Sequence, residues 1–193
     1  EGDELNLRGE LGGDRPTVLG VACALLGSLR VLDLSSNKLG PAAGLEIAGA
    51  LKVNTSLTGV NLTNNNLGDK GWCAIFDALR DNKDTRISKW DLADQGINQT
   101  IAKSLAAYVK VSSSLTCLDV QWNEIGVKGG KAIAEALKVN SSLTALYIAG
   151  NTLGLDGGVA IAEALRAKGS LMILNLSSNM LGSEGGAAVA KAL

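Results

Sequence analysis

The sequence predicts a stacked α/β repeat fold, on three observations. A leucine-rich motif recurs at a fixed step of 28 residues. Each copy opens on a short stretch alternating with period two and closes on an alanine- and glycine-rich stretch with helical spacing. Composition agrees: of 193 residues 46% are apolar, enough for a core, but only six are aromatic and 24 are glycine. Helices and strands built from such small residues must approach each other closely.

The copies follow in order. Leu5-Asn6-Leu7 is a truncated first unit, one residue short of register. Full units begin at Leu29-Arg30-Val31-Leu32-Asp33-Leu34 and at Leu57-Thr58-Gly59-Val60-Asn61-Leu62, 28 residues on. The next, at Ile87, comes after 30 residues, which places a two-residue insertion around Arg80 to Arg86. Units at Leu115, Leu143 and Leu171 restore the 28-residue step. Seven units, counting the truncated one, thus cover 1–193, read as a single domain.

Each unit has the form LxxLxLxxNxLGxxGGxAIAEALxxNxS, and each part has a physical reason. The LxL core is a short strand with leucines inward and the intervening residues outward. Asn37, Asn65, Asn123, Asn151 and Asn179 stand where the chain turns away from the strand. An inward amide there bonds backbone groups otherwise buried unpaired, and stacking extends it into a ladder. Gly-Gly pairs at 129–130, 157–158 and 185–186 are expected to permit a tight corner and close backbone approach. From Lys131 to Lys138 the spacing is helical: Gly129, Ala132, Ile133, Ala136 and Leu137 share an inner stripe, and Lys131, Glu135 and Lys138 face water.

This repeat resembles the ribonuclease-inhibitor-like subclass of leucine-rich repeats, the 28-residue strand-plus-helix type found in NOD-like receptors and Ran GTPase-activating protein. The resemblance spans nearly all of the chain and recurs in register. It implies an α/β leucine-rich-repeat solenoid, a horseshoe arc with parallel strands on the concave face and helices on the convex face. Stability in such a fold is shared between neighbouring units.

Several functions are disfavoured. Eighteen basic residues against nineteen acidic ones leave a formal charge of −1, without the basic surplus that sequence-independent nucleic-acid binding needs. The absence of histidine removes Ser-His-Asp and Cys-His nucleophile systems and imidazole-ligated metals. Cys23, Cys73 and Cys117 are an odd number without CxxC spacing, so reduced thiols in an intracellular, reducing compartment are favoured. Cys23 aligns with Leu51 as a small core residue, and Cys73 beside Trp72 reads as a partly covered thiol. The longest apolar run, Val18 to Leu26, is far shorter than the roughly 20 residues a bilayer demands. The chain starts at Glu1 rather than Met, so an upstream segment, with any targeting address, is expected to precede it. Five N-x-S/T sequons, at Asn54, Asn61, Asn98, Asn140 and Asn175, fall at template positions and argue weakly for glycosylation. No catalytic residue, cofactor site or metal site is assigned.

The unit from Ile87 to Ser114 departs most from the template. Trp90 replaces the strand leucine, Gln95 the ladder asparagine, Ile101-Ala102 the Gly-Gly pair, and Tyr108 an alanine. Two readings stand: drift with local repacking, or a bulky helix pushed outward as a docking bump. Neither end of the chain shows a dedicated polar cap.

The function expected is a non-catalytic protein–protein interaction module, a scaffold or accessory subunit of a large complex, binding protein partners by its concave strand face or open ends. No nucleic acid or transmembrane segment is involved. The alternative is a regulator of a small GTPase, although no loop arginine matches the Ran GTPase-activating protein residue by residue. The face itself is read from the residues flanking each LxL core, most of them small or polar. Trp122 stands out, where sister units have Ser36, Asn64, Gly150 and Ser178. Tyr147 occupies a column otherwise filled by Asp or Asn. Asp91, Asp119, Gln121, Trp122 and Tyr147 are the expected protein-binding residues, the aromatics as anchors and the carboxylates as selectors of a basic partner. A second reading of Trp122 is that it folds over the strand edge and shields the ladder.

Overall fold

The LxL cores fold as three-residue strands in the computed structural model, which describes residues 4–10, 29–167 and 170–193. Cys23 and the apolar run Val18–Leu26 lie outside the described residues. The chain divides into two compact units, Glu1–Asp91 and Leu92–Leu193. Both are α/β leucine-rich-repeat solenoid, with parallel strands in chain order and helices between them.

In the first unit the strands are β1 (Glu4–Asn6), β2 (Val31–Asp33), β3 (Gly59–Asn61) and β4 (Lys89–Asp91). Leu5 pairs with Leu32 and Leu32 with Val60, so the truncated first copy sits in register despite its missing residue. Helices α1 (Pro41–Leu51) and α2 (Gly68–Asp81) pack together. They meet backbone to backbone: a Cβ on Gly44 would lie 2.5 Å from the Cα of Gly71. Half of the chain's aromatics gather at one point, where Trp72 stacks on Phe76 at 5.7 Å and Trp90 meets both edge-on. Trp90 fills the strand-leucine position completely buried, and its indole N–H has no hydrogen-bond partner. The inserted pair is narrowed to residues 83–86, because Asn82 still matches Asn54 at 28 residues. Its amide donates to the carbonyls of Leu51 and Asn54 at 2.8 and 2.7 Å.

The second unit holds β5 (Cys117–Asp119), β6 (Ala145–Tyr147) and β7 (Ile173–Asn175), with α3 (Gln99–Val111), α4 (Gly126–Leu137), α5 (Gly154–Ala167) and α6 (Gly182–Ala190). The Gly-Gly pairs are not the corners. Gly126, Gly154 and Gly182 are, with φ of +62°, +62° and +66°, because the turn into each helix needs the left-handed region. The pairs lie inside the helices and serve close approach, as the composition demanded. A Cβ on Gly129 would lie 2.9 Å from that of Ala102, and one on Gly158 2.9 Å from Leu181 Cδ2. The buried stripe of α4 is also corrected: it contains Gly130 and Ala134, while Ala132 is half-buried.

The irregular repeat forms no bump from its bulky residues. Ile101 and Tyr108 are buried at 1% and 0% exposure, so their side chains add to the core rather than to a docking surface. Asn98 starts α3 by accepting from the N–H groups of Thr100 and Ile101, the usual N-terminal cap.

The asparagine ladder is present in both units. Each amide donates to its own strand end and to that of the preceding repeat: Asn65 to Leu62 and Leu34, Asn123 to Val120 and Leu92, Asn179 to Leu176 and Ile148. Gln95, one methylene longer, donates to Ala93 and Asp94 in its own turn. A second ladder runs at the helix ends, where Asn140 repeats the pattern of Asn82 by donating to Val109 and Ser112. Among the described residues, no helix is long and apolar enough to cross a membrane.

Candidate protein-binding face

The Asp/Asn column at the end of each strand has a local cause. Asn6, Asp33, Asn61, Asp119 and Asn175 each accept, through a side-chain oxygen, the backbone N–H two residues on, at 2.8 to 3.1 Å. A short acceptor there satisfies a donor the turn would leave open. The column is thus first a row of turn caps. Asp33 shows the balance: burial pushes its carboxyl up, but bonds from Ser35 and Asn61, with the charge of Arg8, outweigh it. The result is a carboxyl held below its ordinary value.

Tyr147 breaks that column, since a phenol cannot make the cap. It pairs between Asp119 and Asn175 across the strands and is half-buried. Around it the polar groups are linked. The Gln121 amide donates to Asp119 at 3.1 Å, and its oxygen accepts from Asn175, 54 residues away, at 3.0 Å. Small, buried Ala149, two residues past the end of β6, holds the matching position in the repeat between. Ser177 closes the chain by donating its hydroxyl to Asn175 at 2.8 Å.

Trp122 is the second break. It is 60% exposed and adopts φ +56°. Its sisters Ser36, Asn64 and Ser178 share that left-handed conformation, which the turn dictates, but an indole there is a poor conformational choice. The backbone N–H of Trp122 donates to the Ala149 carbonyl at 2.8 Å. The ring leans on Gly150, where a Cβ would come within 2.4 Å of Cε3. Gly150 therefore makes the seat for Trp122. The 28-residue register already set the two side by side, a signal that the sequence reading of Trp122 did not use.

The five residues expected at the interface fall in different units. Asp119, Gln121, Trp122 and Tyr147 share the second, and Asn175, given no such role from sequence, belongs to their network. Asp91 lies in the first unit, where with Lys89, Asn61, Thr63 and Val31 it lines a shallow cavity of about 270 Å3 over Gly59. All five sequon asparagines have structural duties: Asn140 is 3% exposed, Asn54 accepts from Leu57 N–H, Asn98 caps a helix, and Asn61 and Asn175 cap turns. Cys73 and Cys117 are half-buried thiols. Among the described residues, no cluster of acidic groups and thiols is placed to hold a metal ion.

The leucine-rich-repeat family pattern matches residues 28–48, 53–75, 111–134, 139–162 and 170–190, more than half of the chain. The chain is a leucine-rich-repeat protein. The stretch passed over, 76–110, takes in Trp90, Gln95, Ile101 and Tyr108 of the irregular repeat. The protein is 33% identical over 124 residues to human NACHT, LRR and PYD domains-containing protein 2, and 32% identical over 101 residues to mouse NACHT, LRR and PYD domains-containing protein 12. These stretches cover 62% and 52% of this chain but only 12% and 10% of those relatives. The likeness agrees with the ribonuclease-inhibitor-like subclass read from the repeat. The tropomodulin C-terminal domain of Caenorhabditis elegans superposes with a TM-score of 0.58 at 15% identity, covering 90% of each chain, which shows a shared fold. Leucine-rich-repeat domains are typically non-catalytic, and the repeat surface marks the protein as a protein–protein interaction module.

Proposed function

We propose that this leucine-rich-repeat protein is a non-catalytic scaffold or accessory subunit that takes a protein partner on the strand face of Leu92–Leu193. The observation that carries the reading is Trp122. An indole exposed in the left-handed region, on a seat left open by a glycine, contributes nothing evident to the core. Large aromatics of this kind anchor interfaces, and linked polar neighbours fix the orientation of what they hold. The partner presents an apolar knob to Trp122 and Tyr147 and a basic group to Asp119, whose carboxylate is held in place by Gln121. In the first unit Asp91 offers a separate acidic contact within its own cavity.

Cross-linking followed by mass spectrometry names the partner and the residues it touches. Changing Trp122 and Tyr147 together to Ala is then expected to cost about 2–4 kcal/mol of binding, with the circular dichroism of the parent retained. Unchanged affinity, or cross-links that avoid β5 to β7, would overturn the reading.

A further inference from the structure

The helix side of the second unit carries a groove that the strand-face reading does not use. The outer face of α5 presents Leu155, Val159 and Ala160, and with Lys131 and Glu135 of α4 on one side and Glu184 of α6 on the other it lines a cavity of about 650 Å3. Leu155 is 40% exposed, and Val159 and Ala160 are half-buried at the floor. Binding clefts commonly span roughly 300–1,000 Å3.

The register sets this apolar floor of α5 apart from the two helices before it. At the position of Val159, α4 carries Lys131 and α3 carries Lys103. Lysine is not general at this position, since α1, α2 and α6 carry Leu45, Cys73 and Ala187, but on α5 a valine beside Leu155 opens an apolar strip to solvent. The rim is acidic. Glu135, Asp156, Glu163 and Glu184 stand around it. Lys131 is engaged by Asp156 at 2.6 Å, and Lys138 by Glu135 at 2.6 Å and Glu163 at 3.8 Å. Four carboxylates against two ammonium groups leave a surplus of negative charge. That surplus disfavours nucleic acid and anionic lipid, and suits cations flanking an apolar side chain.

We propose that this groove docks a basic amphipathic segment of a protein partner, its leucine-sized side chains on Leu155 and Val159 and its Lys or Arg groups on Glu163 and Glu184. The whole chain is titrated against a fluorescein-labelled 18-residue amphipathic helical peptide of Leu and Lys, followed by anisotropy, with a Leu/Glu peptide in parallel. The Leu/Lys peptide is expected to bind and the Leu/Glu peptide to fail. Val159→Lys, a residue two sister helices already carry there, is expected to weaken binding at least about tenfold. Glu163→Lys, at a carboxylate 57% exposed and so harmless to the fold, gives a second reading of the same site. Trp122→Ala is expected to leave this binding intact, which separates the groove from the strand face. No binding, equal binding of the acidic peptide, indifference to both groove variants, or loss on Trp122→Ala would each overturn the proposal.

Discussion

Asn151 offers the sharpest test of what holds the repeats together. It is fully buried, and its amide donates to the carbonyls of Val120, Ile148 and Ala149 at 2.7, 3.2 and 3.0 Å. Its oxygen accepts the Ile125 N–H at 3.4 Å. Replacement by Ala removes all four bonds, yet the consequences differ. Val120 O keeps the Asn123 amide, Ile148 O keeps that of Asn179, and Ala149 O keeps the Trp122 N–H. Each of these three losses therefore falls near the low end of the usual scale, about 0.5 kcal/mol. The Ile125 N–H loses this acceptor inside the core, which adds about 1–2 kcal/mol. The expected total for Asn151→Ala is about 3 kcal/mol, read from urea unfolding followed by far-UV circular dichroism. Asn151→Asp should cost more, because it replaces the donor with a buried charge facing three carbonyls. A loss under about 1 kcal/mol for Ala, or an Asp variant as stable as the Ala one, would refute the ladder's role.

Leu118 is fully buried in β5, so Leu118→Asp should unfold its neighbouring repeats with it, seen as lost hydrogen-exchange protection in both β5 and β6. Gly44→Ala and Gly49→Ala lie in the same helix and should move stability in opposite directions. At Gly44 the new Cβ would meet the Gly71 backbone at 2.5 Å and cost about 1–3 kcal/mol, whereas at Gly49 nothing lies within 4 Å. There a helix-interior alanine should gain about 0.5–1 kcal/mol in the same denaturation assay. Asp33 has a depressed folded pKa, so its contribution is present above the unfolded value of about 3.9 and is lost as pH falls through the folded one. The stability advantage of the parent over Asp33→Asn should therefore shrink between pH 7 and pH 2, and an advantage independent of pH would count against the bonds assigned to that carboxylate.

The repeat itself was legible because its causes are local and recur. Period-two leucines fixed the strands, the 28-residue step fixed their parallel pairing, and an inward asparagine at a turn has few other uses. The corners were misread because two kinds of glycine share each unit. Gly126 serves a backbone angle and Gly129 a close approach, and one sequence cannot separate the two. Nor could the sequence place Ile101 and Tyr108, since a large residue replacing a small one can be expelled or absorbed. The surrounding space decides, and here it absorbs them. The carboxylates of the Asp/Asn column were read as selectors of a basic partner, whereas short-range turn bonds account for most of that column. Gln121 reaching Asn175 had no sequence signal, because it depends on the small Ala149 lying between two distant repeats.

These template duties say where function is to be sought. In a solenoid every position has sisters, and a residue that matches them is explained by what all of them do. Asp119 and Asn175 are explained in that way as caps, so their charge or polarity alone does not mark an interface. Tyr147 gives up a cap, and Trp122 accepts a left-handed conformation that Ser or Asn bears more easily. Both departures forgo local stability, and they lie in adjoining repeats, Trp122 in the turn after β5 and Tyr147 on β6. Val159 is a different case: the two preceding helices carry Lys103 and Lys131 there, and on α5 the valine adds to the apolar surface of Leu155. The departure at Trp90 has another character: it is buried against Trp72 and Phe76 and belongs to packing. Sorting departures by whether they are buried or exposed thus separates repair of the core from surfaces that await a partner. Both proposed surfaces, strand side and helix side, fall within the same three repeats.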